Sequence, residues 1–312
     1  MAFPVATLNS TTMRYIVPKI WDNVFKSNAL LVRLVKRAKG FDATDGTIRY
    51  PVILTQNPNA QSYAPGGTLS TTSSENTTAG ELAVAYYNSA ISLPGPDVIL
   101  NMGKNQVINL LKDEFYVAEK SLKDLMGSDA FGSNNGAATG LVGLQPAIDD
   151  STNFTTYAGI SRSAYPTWKA QYTDLASAAI NLGNLESSYI NSSIDASFVT
   201  LIVTTYAGVI KLWNIIQPQQ RFTASDDLWI IGARNMAFGN APIVADPHCP
   251  ANQVYFLNTN YLHLYANLNR NFAFIPFQLP TNQDQYIAHI RWYGQLICES
   301  PRLQARIVNA GF

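Results

Sequence analysis

Ile108, Leu111, Phe115, Ala118, Leu122 and Leu125 recur at spacings of three, four, three, four and three residues. At about 100° per residue, that rhythm draws one narrow apolar stripe down a single helix. Lys112, Asp113, Glu119, Lys120, Lys123 and Asp124 take the other faces. The pattern predicts a helix from Val98 to Met126, about 40 Å long at 1.5 Å per residue. A helix with one such stripe lies across a sheet or layer and is not buried all round. "LPGPD" (93–97) breaks the chain ahead of it, and "GSDAFGSNNGAATG" (127–140) follows as a Gly-rich linker. Those glycines are not a phosphate loop: they follow a helix where such a loop follows a strand, and no Lys-Ser or Lys-Thr comes after them.

The segment before the helix reads as a hairpin. "GTIRYPVIL" (46–54) and "ELAVAYYNSAISL" (81–93) have strand character, and the polar, low-complexity "GGTLSTTSSENTTAG" (66–80) is a loop between them. A protruding hairpin is marginal alone in water and needs something to lie against, such as another subunit. Residues 1–12 look extended. "KIWDNVFKSNALLVRLVKRAKG" (19–40) reads as short helical pieces, with Leu30, Leu31, Leu34 and Val35 at helical spacing and Gly40 as a stop.

Beyond the linker the pattern is α/β. "YTDLASAAINLGNL" (172–185) reads as helical, "FVTLIVTT" (198–205) as a buried strand and "YAGVIKLWNII" (206–216) as a helix directly after it. "APIVADP" (241–247), "QVYFLN" (253–258), "YLHLYANL" (261–268) and "QYIAHIRWYGQLICE" (285–299) read as strands.

Charge is sparse and uneven. Only 13% of residues are charged and the formal net charge is zero, against about 25% charged in an average soluble protein. Asn, Gln, Ser, Thr and Tyr fill the polar positions, a surface suited to extensive protein–protein contact. Arg14, Lys19, Lys26, Arg33, Lys36, Arg37 and Lys39 stand against the single acid Asp22 within residues 1–40, leaving that segment at +6 and the rest of the chain at −6. Such an arm docks on acidic neighbours or faces a polyanion. "MAFPVATLNSTTMRY" shows no basic n-region followed by an apolar h-region, so no signal peptide is expected, and no apolar run approaches a membrane span.

Chemistry has one candidate locus. "VADPHCPANQVYFLN" (244–258) packs Asp246, His248 and Cys249 into four positions. A structural zinc site needs four ligands, usually in paired spacings, and no second pair exists. A thiol nucleophile needs an opposed base, and adjacent residues of a strand point opposite ways. Pro247 and Pro250 frame a turn instead. His263 alternates with Leu262 and Leu264, on a polar face with Tyr261 and Tyr265. His289 shares a face with Arg291 and Tyr293, while Cys298 shares the apolar one with Ile290, Trp292 and Leu296. Two cysteines are too few for a disulfide scaffold and fit a reducing compartment. No catalytic, cofactor or metal residue is assigned.

Several stretches together carry a family resemblance: "STTMRYIVPKIWDNVFKSNALLVRLVKR" (10–37), "YAGISRSAYPTW" (157–168), "TLIVTTYAGVIKLWNIIQPQQRF" (200–222), "APIVADPHCPANQVYFLNTNYLHLYANLNRNFAFIPFQ" (241–278) and "NQDQYIAHIRWYGQLICESPRLQARI" (282–307). In their order and spacing the chain resembles the major capsid proteins of tailed bacteriophages, the HK97-fold group. The resemblance implies an α+β fold: an N-terminal arm (1–40), an extended β-hairpin loop (41–93), a peripheral domain with a long spine helix (94–132), an α/β axial domain (133–258) and returning peripheral strands (259–312). It leaves the extreme C-terminus a candidate to rejoin the axial domain.

It also implies a structural, non-enzymatic role: self-assembly into hexamers and pentamers of an icosahedral shell around double-stranded DNA, with no cofactor and no membrane. Implied partners are other copies of the chain, a portal protein, non-specific DNA and, where used, separate scaffolding and decoration proteins. The implied location is the virion capsid, assembled in the host bacterial cytoplasm. Arg14, Lys19, Lys26, Arg33, Lys36, Arg37, Tyr63, Leu69, Glu75 and Glu81 are the candidate interface residues. Some members of the group cross-link a lysine of the extended loop to a neighbour. This chain has no lysine between Lys39 and Lys104, so that chemistry does not carry over. An encapsulin-like cellular nanocompartment shell is the alternative reading, and an α/β enzyme with a thiol site near Cys249 is a third.

Overall fold

The computed structural model describes residues 28–41, 46–100, 104–136, 139–216 and 236–312. Strand β14 (Gln285–Cys298) organises the larger sheet. Its β-branched and aromatic residues favour extended chain. It pairs antiparallel with β4 (Ala85–Pro94) over Gln285–Gly294, with β13 (Ala273–Gln278) over Ile287–Arg291, and with β12 (Leu262–Asn267) over Gly294–Cys298. Strand β1 (Lys39–Phe41) joins β12 in parallel, completing five strands.

Helix α1 (Ala29–Val35) precedes β1, and the long helix α2 (Lys104–Ala130) crosses the face of β4, where Ser89 Oγ donates to the Ala118 carbonyl at 3.3 Å. Phe115, Ala118, Leu122, Met126 and Ala130 of α2 are buried, and Phe115 packs on Phe274 with ring centroids 5.4 Å apart. Leu125, expected on this stripe, is 50% exposed. A spacing that averages below 3.6 residues drifts round a helix. Measured from Phe115, Met126 lies about 20° away and Leu125 about 80°. The side chains of Ile108 and Leu111 lie outside the described set.

The second sheet has six strands in the order β7 (Gln171–Asp174), β15 (Ala305–Val308), β11 (Val254–Leu257), β8 (Leu201–Thr204), β10 (Ala241–Ala245) and β9 (Ala237–Phe238). Helices α3 (Leu182–Asn191) and α4 (Tyr206–Ile216) bring Leu185, Leu212 and Ile216 to a core with Ile202, Ile243, Phe256 and Ile307. The final strand β15 sits between β7 and β11, so the end of the chain is built into this sheet.

Several expectations are corrected. The strand expected over 81–93 breaks at Val84. Strand β3 (Thr77–Ala83) pairs with β2 (Thr47–Ile53), while β4 goes to β14. The loop expected over 66–80 therefore ends before Thr77. The helix expected over 172–185 is strand β7, captured as a parallel partner by β15, and the helix that follows starts only where Asn181 Oδ1 caps the Asn184 amide at 2.9 Å. Helix α1 ends at Val35, and Gly40 is no stop but a strand residue, where a Cβ would stand 2.5 Å from the Leu268 side chain.

Three elements meet at Gly127 of α2. An added Cβ there would lie 2.6 Å from Asn28 Nδ2 and 2.8 Å from His248 Nδ1. Gly127→Ala is expected to cost about 1–3 kcal/mol by forcing α2 away from both neighbours, read as a lower urea midpoint at unchanged slope. An unchanged midpoint would show that the elements do not close on one another there.

Candidate assembly surfaces

Strands β2 and β3 form a two-stranded ribbon apart from both large sheets. The bonds Leu54 N to Asn76 O and Val84 N to Gly46 O, both 3.0 Å, bracket it and fix which residues face inward. Pro51 falls at an outward position on β2, where its missing N–H costs no ladder bond. One face of the ribbon is apolar and buried: Ile48, Tyr50, Val52, Leu82 and Val84. The other carries Arg49, Glu81 and the 78% exposed Ile53, with Arg49 and Glu81 paired at 2.9 Å.

The base of the ribbon lies against its own chain, where a marginal hairpin is expected to need another subunit. Tyr50 OH donates to the Cys298 carbonyl at 3.4 Å, Thr167 Oγ1 to the Leu54 carbonyl at 2.8 Å, and the Glu81 amide to the Ala158 carbonyl at 3.0 Å. That seat is itself built round two buried charges. Asp149 accepts from the amides of Ser151, Asn153 and Phe154 and faces Arg306 Nη2 at 3.4 Å. Arg162, fully buried, donates to the carbonyls of Phe154, Pro146 and Ala147 and lies over the Tyr157 ring. Nothing in the local sequence marks Asp149 and Arg162 as partners of one loop. The signal was only that buried charges need several hydrogen bonds.

Residues 55–75 stand almost wholly exposed beyond the seat. Amide and hydroxyl side chains zip them together. Ser70 Oγ donates to Asn59 Oδ1 at 2.7 Å, Asn59 Nδ2 to the Thr72 carbonyl, and Gln61 Nε2 to the Thr68 carbonyl at 3.2 Å. Asn59 is the centre of this zipper, and in the sequence only the Ser/Thr/Asn richness hints at it. Tyr63 and Leu69, 65% and 59% exposed, project from this tip, and Glu75 is exposed at its root.

Of the basic arm, Arg14, Lys19 and Lys26 lie outside the described residues. Lys36 is exposed and Arg33 half-buried, its pKa lowered by burial and then by Arg37. Arg37 is engaged within the chain, its guanidinium donating to Asn260 Oδ1 at 2.6 Å and to the Thr259 carbonyl at 3.3 Å. Lys39 Nζ meets Glu299 Oε1 at 2.7 Å, and Tyr265 OH donates to the same oxygen at 3.0 Å. Burial pulls Lys39 down, but the bond and charge of Glu299 together with Tyr265 outweigh it and the pKa rises. His263, expected on a polar face, is 9% exposed: Glu299 lies 3.5 Å away and β1 covers the strand edge. Burial lowers its pKa against the pull of Glu299.

The Asp246–Cys249 turn is a turn. The Cys249 amide donates to the Asp246 carbonyl at 3.2 Å and the His248 amide to Asp246 Oδ1 at 3.0 Å. Cys249 is a free, buried thiol, and burial and then Asp246 push its pKa up, away from the thiolate a nucleophile needs. Cys298 is likewise free and buried. Among the described residues no group of three or more His, Cys, Asp or Glu could hold a metal ion, and no helix is long and apolar enough to cross a membrane.

A seated ribbon with an exposed polar tip, a long helix across one sheet and a second sheet covered by helices together define a mixed α+β fold. More narrowly, the architecture is the HK97-like fold. The capsid asymmetric unit of cyanophage A-1(L) matches with a TM-score of 0.66 at 16% identity, covering 92% of this chain and 93% of that one. The capsid of a native GTA particle matches at 0.61 and 10% identity, covering 89% and 90%. The holo-SrpI encapsulin complex of Synechococcus elongatus matches at 0.55 and 9%, covering 89% and 86%. No family profile and no curated protein matches the sequence.

Proposed function

We propose that the chain is the major capsid protein of a tailed phage, which assembles into a closed icosahedral shell around double-stranded DNA. The observation that carries this reading is the end-to-end match to a phage capsid subunit, 92% of one chain on 93% of the other. The exposed tip supports it: residues 55–75 bury almost nothing within the subunit, and their Tyr63 and Leu69 offer anchors to a neighbour. Repeated with symmetry, moderate contacts of this kind close a shell.

The working partners are other copies in hexamers and pentamers, a portal protein at one vertex, and scaffolding or decoration proteins where used. Contact between the inner wall of the shell and the packaged DNA is through backbone charge, without base readout. The role is structural and not enzymatic, the location is the virion, and assembly takes place in the host cytoplasm. The encapsulin-like alternative has the weaker support, a TM-score of 0.55 against 0.66.

Sedimentation and negative-stain microscopy of the purified protein test the reading. Fast-sedimenting closed particles are the expected result. A compact monomer or small oligomer under every assembly condition would overturn it. Particles from the native source that hold a cargo protein in place of DNA would favour the nanocompartment.

A further inference from the structure

His248 lies where the arm helix, the long helix and the second sheet meet. Asn28, fully buried, uses Oδ1 to accept the Leu31 amide at 3.1 Å and so caps α1. Its Nδ2 is 3.3 Å from His248 Nδ1. Asp246 Oδ1, from the end of β10, is 3.3 Å from the same ring nitrogen. Asp124 of α2 lies 3.7 Å from Nε2, on the other side of the ring.

The two contacts at Nδ1 are chemically exclusive. An amide Nδ2 can only donate, so Asn28 needs a bare Nδ1. A carboxylate can only accept, so Asp246 bonds the ring only when Nδ1 carries a proton. With the imidazole neutral and its proton on Nε2, directed at Asp124, the ring holds Asn28. With the imidazole protonated, Nδ1–H turns to Asp246, and the buried Asn28 amide loses its acceptor. Losing it leaves a desolvated donor, which is costly.

Other features suit a working joint. Asp246 is fully buried and its Oδ2 has no hydrogen-bond partner, so the carboxylate is poised to gain from a cation beside it. The His248 side chain keeps 17% of its surface, enough for a proton to reach it. Among the described residues, the charged and titratable groups facing the ring are Asp246 from its own turn and Asp124 from α2. Cys249 is next in sequence, and burial keeps its thiol protonated. From the cap of α1 the ring meets the neutral Asn28.

We infer that His248 is a proton-operated latch on the arm: neutral, it holds the capping residue of α1; protonated, it releases that residue and bonds Asp246 of its own turn. If the capsid reading holds, acidification thereby loosens the part of the subunit that leads into its N-terminal arm.

Hydrogen exchange of residues 29–35 in the full-length, unassembled subunit tests this without reference to shell formation. Protection factors corrected for intrinsic rates are compared at pH 8 and pH 5 in three proteins. In the wild type, protection of α1 is expected to fall about three- to tenfold on acidification, the size of one lost hydrogen bond. In His248→Gln, whose amide oxygen can accept from Asn28 but cannot titrate, it stays within about twofold. In Asn28→Asp, the cap survives and the new carboxylate accepts from the protonated ring, so protection rises as pH falls. A wild type that does not respond, a His248→Gln that responds equally, or an Asn28→Asp that keeps the wild-type sign would each overturn the latch. Should a variant not fold at pH 8, the imidazole resonances of the wild type give the same answer: Nδ1 bare at pH 8 supports the latch, and Nδ1 protonated there overturns it.

Discussion

Replacing residues 55–75 with Asn-Gly is expected to abolish the shell formation proposed above and to leave the subunit folded. The junction is well placed: Leu54 and Asn76 already face one another through the Leu54 amide and the Asn76 carbonyl at 3.0 Å. A two-residue type I′ turn closes on such a pair. The removed side chains are almost all exposed, so far-UV circular dichroism and the urea midpoint should stay within about 0.5 kcal/mol of the parent. Tyr63 and Leu69 go with them, and sedimentation should show only subunits or small oligomers. The excision stops short of Thr77 because Thr77–Gly80 pair with Tyr50–Ile53 and belong to the ribbon. Closed particles at the parental yield would show that the tip makes no contact between subunits.

The second large effect is inside the fold. Arg162→Met is expected to destabilise the subunit by about 3–5 kcal/mol, the range for removing one member of a buried polar cluster. Met fills the space of the arginine stem, so the loss reports the guanidinium and not a cavity. What is left behind is two buried carbonyls, of Pro146 and Ala147, and the part-buried carbonyl of Phe154, without their donor. Chemical denaturation reads the loss. Because this loop seats the ribbon through the Ala158 carbonyl and Thr167, exchange of the Glu81 amide should accelerate in the same variant. A loss below about 1 kcal/mol would mean that the loop is held by its apolar contacts alone.

Hydrophobic period was the reliable guide within single elements. Tyr206–Ile216 and Gln285–Cys298 fold where their patterns put them, and the proline-framed Asp246–Cys249 turn is a turn. The period was less reliable where a partner far away in the chain decides. "QYTD" is a strand because β15 arrives beside it from Ala305–Val308, and that partner is remote in sequence. His263 sits on an alternating strand and still ends up buried, since Lys39 and Glu299 close over it from two other segments. The candidate assembly surface was half legible. The polar tip and its apolar knobs announce themselves in composition, but the seat that orients the tip rests on Arg162, Asp149 and Thr167, ordinary loop residues when read along the chain.

By itself the sequence determined that this chain has a long one-striped helix, a low-charge polar excursion between two strands, an α/β region and a proline-framed turn at Asp246–Cys249. Each follows from composition or from a period of two or 3.6 residues, which local sterics and burial enforce whatever the rest of the chain does. Only the tertiary structure decided that one expected strand divides at Val84 between the ribbon and the large sheet. The same holds for Met126 replacing Leu125 under α2, and for Asn28, Gly127 and His248 closing one joint. Those outcomes depend on which backbone edges and buried donors find partners hundreds of residues away, and no window of local sequence contains both halves of such a pair.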